Sequence, residues 1–256
     1  MKKNLLLTLL SLAIVSISFS QKLYGVVAYH KVAPGHTIDE AIALEKEWKV
    51  IHQARKDAGL ISNWAVFVNY AGLTTKDVDF DYITVNYGPD IDKIGTYPTD
   101  LWQEFLKTHP AYSDLIDRTG KVTNIIRQNV LANEGMVGTF KPDQLFVFEF
   151  MKVSGANYNN YIEFEKKMAK VHEERMNAGI ITRWSFWRQM LPSGFQGNFS
   201  FSTVQAFPNL SSYEKGGYTD AMAKKNFGVS LNEMYKKAIS LRDIETSWVA
   251  RMAERL

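Results

Sequence analysis

The chain has 256 residues, no cysteine and a formal net charge of +3. The lack of cysteine excludes disulfides, a thiolate nucleophile, cysteine-ligated zinc and iron–sulfur clusters, so stability must come from a packed core. With 30 basic and 27 acidic residues there is no concentrated basic footprint, and we predict that nucleic acid is not a partner.

The first 20 residues have the layout of a secretory signal peptide. Two lysines precede an apolar run from Leu5 to Val15, and small residues at Ser18 and Ser20 precede Gln21. The pattern predicts cleavage near Ser20–Gln21 and export to the periplasm or the medium. An uncleaved anchor is the alternative, because the small residues are serines. No later apolar run reaches the length of a span, so we predict no membrane span after cleavage.

Two segments 120 residues apart match without a gap. The sequence E-K-E-W-K-V-I-H-Q-A-R-K-D-A-G-L-I-S-N-W occupies 45–64, and E-K-K-M-A-K-V-H-E-E-R-M-N-A-G-I-I-T-R-W occupies 165–184. The match predicts an internal duplication, with a first repeat over 21–140 and a second over 141–256. After an apparent shift of four residues, the alignment also places Arg118 on Arg242.

Each repeat has the same predicted order of elements: strand, helix, strand, strand and a closing helical region. A short fourth strand is left open without a position. The predicted elements of the first repeat are 26–32, 38–58, 61–70, 80–87 and 99–131, the last with a break near Pro110. Those of the second repeat are 145–153, 158–178, 181–191, 199–207 and 219–256.

This β-α-β-β-α order predicts an α+β protein built from two tandem ferredoxin-like repeats. A ferredoxin-like sheet carries helices on one face and leaves the other bare. Because the strands are apolar on both faces, we expect the two sheets to face each other in a pseudo-dimeric α/β barrel, with the main helices outside.

The paired helix motifs and this order of elements resemble the dimeric α/β-barrel superfamily. Its relatives include antibiotic-biosynthesis monooxygenase-like, EthD-like and NIPSNAP-like domains, and the chain is most similar to exported members with a tandem repeat. The resemblance implies a fold and a lumen but carries no catalytic motif. Some distant barrels hold a haem, which would need a histidine as axial ligand. The five histidines show no close metal spacing, so we predict no cofactor and no metal.

A polar set recurs in both repeats at equal spacing. Helical periodicity places the arginines within an apolar stripe and the other members beside it. Two interpretations stay open: a general base or anion clamp, and a structural network that braces the helix. We favour the network, because the helix should cover the outside of the sheet, and Arg118 and Arg242 are the candidate partners of its two glutamates. The set is Glu45, His52 and Arg55 in the first repeat, and Glu165, His172 and Arg175 in the second.

Polar residues that differ between the repeats predict a single asymmetric site in the lumen. At the offset of 120, Glu149 falls on Tyr29, and period-two counting leads us to expect Glu149 toward the lumen. We also expect Trp184 to border the cavity and Trp187 to pack beneath a helix. A salt bridge between Glu149 and Arg188 is the structural alternative. The candidate catalytic residues are Glu149 and His30, and the candidate ligand-binding residues are Tyr29, Arg188, Trp64, Trp184, Asn69, Gln189 and Tyr82.

These features favour an exported protein that holds a small apolar or aromatic molecule in the lumen between the two sheets. The alternatives are a cofactor-independent monooxygenase or proton-transfer isomerase of the same barrel, and a structural or interaction module with a filled lumen. A homodimer is left open. A cavity of a few hundred cubic ångströms with converging polar groups would favour a ligand or a reaction, and a filled lumen would favour the module.

Overall fold

The structure is a computed structural model that describes residues 22–74, 78–141, 143–193 and 199–256. The predicted signal peptide over residues 1–20 lies outside the described residues. Among the helices that the structure describes, none is long and apolar enough to cross a membrane.

The first half of the chain alternates strands and helices and ends on a long strand. Its main helix begins at a capping box in which Thr37 and Glu40 bond each other's backbone, and Gly59, at φ +70°, follows its end. The elements are β1 (Tyr24–Val32), α1 (Ile38–Asp57), β2 (Asn63–Thr74), β3 (Tyr82–Gly88), α2 (Ile91–Ile94), α3 (Thr99–Thr108), α4 (Leu115–Val122) and β4 (Thr123–Gly138).

The second half follows the same plan. Its main helix is again followed by a glycine with positive φ, Gly179 at +71°. The elements are β5 (Leu145–Lys152), α5 (Tyr158–Asn177), β6 (Arg183–Leu191), β7 (Phe201–Phe207), α6 (Leu210–Lys215), α7 (Asp220–Phe227), α8 (Leu231–Leu241) and β8 (Asp243–Arg255).

Eight strands form one closed antiparallel barrel in the order β1-β3-β2-β8-β5-β7-β6-β4. Within each half the order is the same, β4-β1-β3-β2 and β8-β5-β7-β6. The halves join where β2 pairs with β8, as at Val66 and Glu254, and where β4 pairs with β6, as at Leu131 and Gln189. The predicted barrel is therefore present as a single sheet, and closure leaves no unpaired edge.

The predicted closing helices are too long. Helix α4 ends at Val122 and α8 ends at Leu241, and the strands β4 and β8 follow in place of the expected helix. Local sequence does not mark this change strongly. These strands gain their stability by pairing with two distant neighbours each, a tertiary effect that overrides local helical pattern.

The interior of the barrel is filled. A cavity lined by interior residues such as Tyr29, Phe148 and Trp187 measures about 30 Å³, which suits one water molecule rather than an organic ligand. The prediction of a ligand site in the lumen is therefore wrong for the described residues, and by the criterion given above the lumen taken alone favours a structural or interaction module. The filling side chains are large and mostly aromatic, among them Tyr29, Phe67, Phe146, Phe148, Phe150, Trp187 and Trp248.

Candidate functional site: an outer pocket in the second half

Glu149 lies on the outer face of the barrel, toward the helices. Its neighbours Phe148 and Phe150 point into the interior, where they pack with Tyr29 and Phe67. The sequence pattern groups the residues of this strand correctly by face but does not say which face is inside. The three phenylalanines of the strand point inward, but the outer residues Leu145, Val147 and Met151 are just as buried beneath the helices, so both faces are apolar.

The two tryptophans of β6 are placed opposite to the prediction. Trp187 fills the interior beside Tyr87, with ring centroids 5.9 Å apart. Trp184 lies on the outer face, under helix α5, where it stacks on His172. The predicted face of each residue is therefore wrong, for the same reason as at Glu149.

The remaining candidates do not converge on one site. Tyr29 is inside the barrel as predicted, while the ring of His30 lies outside, stacked on Tyr82 and bonded to Thr84. Trp64 is also on the outer face. The alternative salt bridge to Glu149 is absent, because Arg188 Nε donates to Glu134 at 2.7 Å. The side chain of Asn69 accepts from Trp248, and that of Gln189 donates to the carbonyl of Pro192.

The polar network of the first half holds helix α1 against the sheet. Arg55 is fully buried, and its guanidinium donates to Asn86 Oδ1 and to the carbonyl of Ile94, both at 2.9 Å. The guanidinium also lies over the ring of Tyr97, 3.9 Å from the centroid. The two terminal nitrogens of the guanidinium are held by internal partners, while its buried Nε has none among the described residues. These bonds tie the helix to the sheet, so the network braces the fold.

The other members of that network have internal partners too. Glu45 accepts from the hydroxyl of Tyr82 at 2.9 Å, and His52 stacks on Trp64 with centroids 4.7 Å apart. Arg118 binds Glu47 and not Glu45, so it is not the partner of the buried carboxyl. The alignment of Arg118 with Arg242 is wrong too, because Arg118 lies within α4 whereas Arg242 directly precedes β8.

The second half repeats the arginine network with different partners. Arg175 donates to the carbonyl of Gly216 at 2.8 Å, to Gln205 Oε1 at 2.7 Å and to the hydroxyl of Tyr218 at 2.9 Å. His172 lies flat on Trp184, with centroids 4.8 Å apart. The guanidinium of Arg175 is therefore held by internal partners, and its Nε is bonded where that of Arg55 is not.

Beside this second network the structure contains a cavity of about 350 Å³, which we call the outer pocket. It lies between helices α5 and α8 and the outer faces of β5, β6 and β7. Its wall is apolar over most of its area, through residues such as Phe164, Met168, Phe207 and Met234. Its polar lining includes Glu149, Glu165, His172, Arg175, Thr203, Gln205, Tyr213, Tyr218, Tyr235 and Arg242.

The charged groups of the outer pocket are not paired with one another. No salt bridge joins Glu149, Glu165 or Arg242 to any residue that the structure describes, and the buried Nε of Arg242 has no hydrogen-bond partner there. Glu149 accepts one bond, from the hydroxyl of Thr203 at 3.2 Å. The Nε atoms of Arg55, Arg127 and Arg183 are also buried without a partner among the described residues, so this feature alone does not mark a ligand site. Of the four arginines, Arg242 is the one that lines the outer pocket.

Glu165 has the properties of a proton acceptor. Its side chain is 5% exposed, and burial raises the pKa of this carboxyl to about 7. The Tyr161 hydroxyl and the Arg242 guanidinium oppose that shift, and the charge of Glu149 adds to it. A carboxyl with a pKa near neutrality can take up or release a proton under ordinary conditions.

The sequence patterns do not identify Arg242, Tyr218 and Met168 as residues of this site. Arg242 was paired with the wrong counterpart, and Tyr218 lies in a loop without a strong pattern. A signal for Tyr218 does exist: Tyr97 precedes it by 121 residues, and each ring lies against the buried arginine of its own half.

Two solved structures match this architecture over almost their whole length. A chlorite dismutase-like protein shares 11% identity at a TM-score of 0.50, over 91% of this chain and 95% of that one. An anthrone oxidase-like protein shares 11% identity at a TM-score of 0.51, over 92% and 93%. The chain shares the α+β barrel fold of these two proteins. At this identity the likeness concerns the fold alone, and no family model and no curated protein matches the sequence.

The residues of the outer pocket do not fit a haem. His172 is the histidine among the residues that line it, and its Nδ1 lies 2.9 Å from the guanidinium of Arg175. A guanidinium only donates, so Nδ1 accepts and the ring proton sits on Nε2. An Nε2 that carries a proton has no lone pair for iron. Among the described residues no cluster of three potential metal ligands occurs either.

Proposed function

We propose that the protein binds a small, weakly acidic organic molecule in the outer pocket and that Glu165 takes a proton from it. One observation carries the proposal: a buried carboxyl with a raised pKa and an unpaired guanidinium, Arg242, line the same apolar cavity. The carboxyl accepts the proton, and the guanidinium stabilises the negative charge that remains on the molecule.

The charges of the pocket suit this reaction. The guanidinium of Arg175 is engaged by internal partners, so Arg242 is the group that has hydrogen-bond donors to offer. The apolar wall around it lowers the local dielectric and strengthens its attraction for an anionic oxygen. The carboxyl of Glu149 also lies on this wall and disfavours a second negative charge. For that reason a neutral phenol or enol enters more easily than a permanent anion.

Proton removal is the shared first step of the two reactions that the barrel resemblance suggests. A carbanion or enolate formed in this way either takes the proton back at another carbon, which is isomerisation, or transfers an electron to dioxygen, which begins cofactor-independent oxygenation. The pocket groups support the common step. The choice between the two outcomes belongs to the substrate.

The experiment uses 4-nitrophenol, whose ionised form is visible by absorbance. With the wild-type protein we expect the phenolate band to appear at a pH below the probe's own ionisation. Glu165→Gln should abolish this band, and Arg242→Met should weaken it. The matched control is Glu45→Gln, which alters the equivalent carboxyl of the first half and should leave the band intact. A band that persists in Glu165→Gln would refute the proposal.

We further propose that the chain consists of two ferredoxin-like copies, 21–140 and 141–256, which together form the pseudo-dimeric barrel. The equal strand order of the two halves supports this, as do the matched stacks of His52 on Trp64 and of His172 on Trp184. A chain cut between residues 140 and 141 should reassemble from the two separately produced halves. Failure of the halves to associate would count against it.

We also propose that the protein is exported, with cleavage between Ser20 and Gln21. The arrangement of the first 20 residues supports this. N-terminal sequencing of the protein from its source cells should begin at Gln21, and the protein should be found in the periplasm or medium. A full-length chain that stays with the membrane fraction would favour the anchor instead.

A further inference from the structure

The two halves have the same wall at the site but fill the space before it differently. In the first half the rings of His52 and Tyr97 lie 6.1 Å apart at 68°, and in the second half those of His172 and Tyr218 lie 6.0 Å apart at 73°. In front of the first wall lies the indole of Trp48, 6.3 Å from His52 and 6.4 Å from Tyr97.

Strand pairing fixes which residues correspond between the closing helices. A bulge in the pairing of β1 with β4 follows Tyr29, and one in the pairing of β5 with β8 follows Phe150. Directly after the bulges, Ile125 of β4 and Ile244 of β8 are the paired residues, so they correspond. Two residues earlier, Thr123 then corresponds to Arg242. Counting back one turn of helix then places Thr119 of α4 on Ala238 of α8.

Two exchanges between the halves open the outer pocket. Trp48 corresponds to Met168 in the matched helices, and Thr119, whose hydroxyl accepts from the Trp48 indole at 2.8 Å, corresponds to Ala238. Both second-half residues line the outer pocket. The second half therefore lacks both the indole ring and the hydroxyl to which that ring would donate.

The second half also carries two charged residues at the inner end of this space, where the first half has uncharged ones. Arg242 stands where the first half has Thr123, and Glu149 stands where the same matching puts Ala28. Both line the outer pocket. The space therefore combines a flat aromatic wall with an inner end that can bind an acidic hydroxyl.

We propose that the outer pocket takes a planar bicyclic aromatic molecule with one acidic hydroxyl, its rings in the position that the Trp48 indole occupies in the first half. This inference rests on the proposed proton transfer and adds the class of molecule. The hydroxyl faces Glu165 and Arg242. The rings lie against His172 and Tyr218, and any further substituent points to the mouth, where Tyr235 and Ile239 are exposed.

The test compares three probes by calorimetry on the full protein. The probes are 2-naphthol, phenol, and decahydro-2-naphthol, which has two rings but is neither planar nor aromatic. We expect 2-naphthol to bind about tenfold or more tightly than either of the others. Equal binding of the three probes would overturn the inference, and so would failure of 2-naphthol to bind.

A variant that rebuilds the first-half arrangement gives a second test. Met168→Trp with Ala238→Thr should fill the pocket and weaken 2-naphthol binding about tenfold or more, while thermal unfolding shows an intact fold. The control Met136→Trp adds the same side chain on β4, away from the pocket, and should leave binding unchanged. Undiminished binding in the double variant would overturn the inference.

These results are separable from those of the proposed function. If the three probes bind equally while Glu165→Gln still abolishes the 4-nitrophenolate band, the proton transfer stands and the ring inference fails. If 2-naphthol binds selectively but no variant affects the band, the pocket binds such rings without exchanging a proton.

Discussion

Nδ1 of His172 lies 2.9 Å from Nη1 of Arg175. The guanidinium has no acceptor atom, so the imidazole nitrogen must accept the hydrogen bond and the ring proton must sit on Nε2. His52 and Arg55 have the same relationship at 3.1 Å. Burial, together with the neighbouring guanidinium, lowers the pKa of His52 to about 3 and lowers that of His172 well below its usual range.

Both histidines should therefore remain neutral, in the Nε2–H form, from about pH 5 to about pH 8. Long-range ¹⁵N–¹H correlation spectra of the ring nitrogens measure this directly. Histidines are five in number, so His52→Asn and His172→Asn variants assign the signals. An imidazolium signal from either residue at pH 5, or an Nδ1–H form, would contradict the geometry.

Arg55→Met should destabilise the protein strongly. The change keeps the approximate length of the side chain but leaves three buried acceptors, on His52, Asn86 and Ile94, without a donor. Each such acceptor costs about 1–3 kcal/mol, so the melting temperature should fall by several degrees. Binding of 2-naphthol in the second half should survive.

The control for that variant is Arg118→Met. Arg118 makes two bonds to Glu47, but both side chains are about one-third exposed. A partly exposed pair contributes about 0–1 kcal/mol, so the melting temperature should change little. Equal losses in Arg118→Met and Arg55→Met would show that the buried network is not the brace described here.

The stability contributed by Glu45 should depend on pH. Burial raises the pKa of Glu45 to about 7 from an ordinary 4.5, so the folded state holds this proton more tightly than the unfolded state does. The resulting stabilisation is complete below about pH 4.5 and is lost as the pH rises through about 7. The expected loss is on the order of 3 kcal/mol.

Glu45→Gln removes this titration and preserves an acceptor for the Tyr82 hydroxyl. The melting temperature of the wild type minus that of the variant should therefore fall as the pH rises from about 5 to about 8. Subtracting the variant's melting temperature cancels the contribution of the buried histidines. Their lowered pKa values make stability rise with pH, which is the opposite direction. A difference that is constant with pH would contradict the raised pKa.

Trp248→Ala should show that the lumen is a core and not a binding site. The ring is fully buried against Phe80 and Phe148, and its Nε1 donates to Asn69. Removing it leaves a large void, which costs about 3–5 kcal/mol of unfolding free energy. Denaturant unfolding measures that loss, and the folded fraction should still bind 2-naphthol.

Trp102→Ala is the matched control for the lumen variant. This tryptophan lies in the aromatic stack on the surface of the first half and is only half-buried. Its loss should cost clearly less stability than that of Trp248. A Trp248→Ala protein with normal stability but without ligand binding would return the ligand site to the lumen.

The sequence by itself determined the plan of the two halves. The unbroken match of 45–64 with 165–184, each ending in a glycine and a tryptophan-bearing strand, predicts the helix and the strand after it in both halves. Those elements are present close to the predicted residues. Such features are local. The hydrophobic period, the capping residues and the glycine beyond the helix end each act over a few residues, so they can be read from the sequence directly.

Only the tertiary structure decided where β4 and β8 begin, which face of β5 is inside, and that the open space lies outside the barrel. The later parts of the two predicted closing helices form the strands β4 and β8 instead, because they pair within the closed barrel with strands that are distant in the sequence. The strand of Glu149 is apolar on both faces, so its pattern cannot choose between them. The outer pocket is lined by Met168 of α5 and Ala238 of α8, which are distant in the sequence, and no local pattern brings them together.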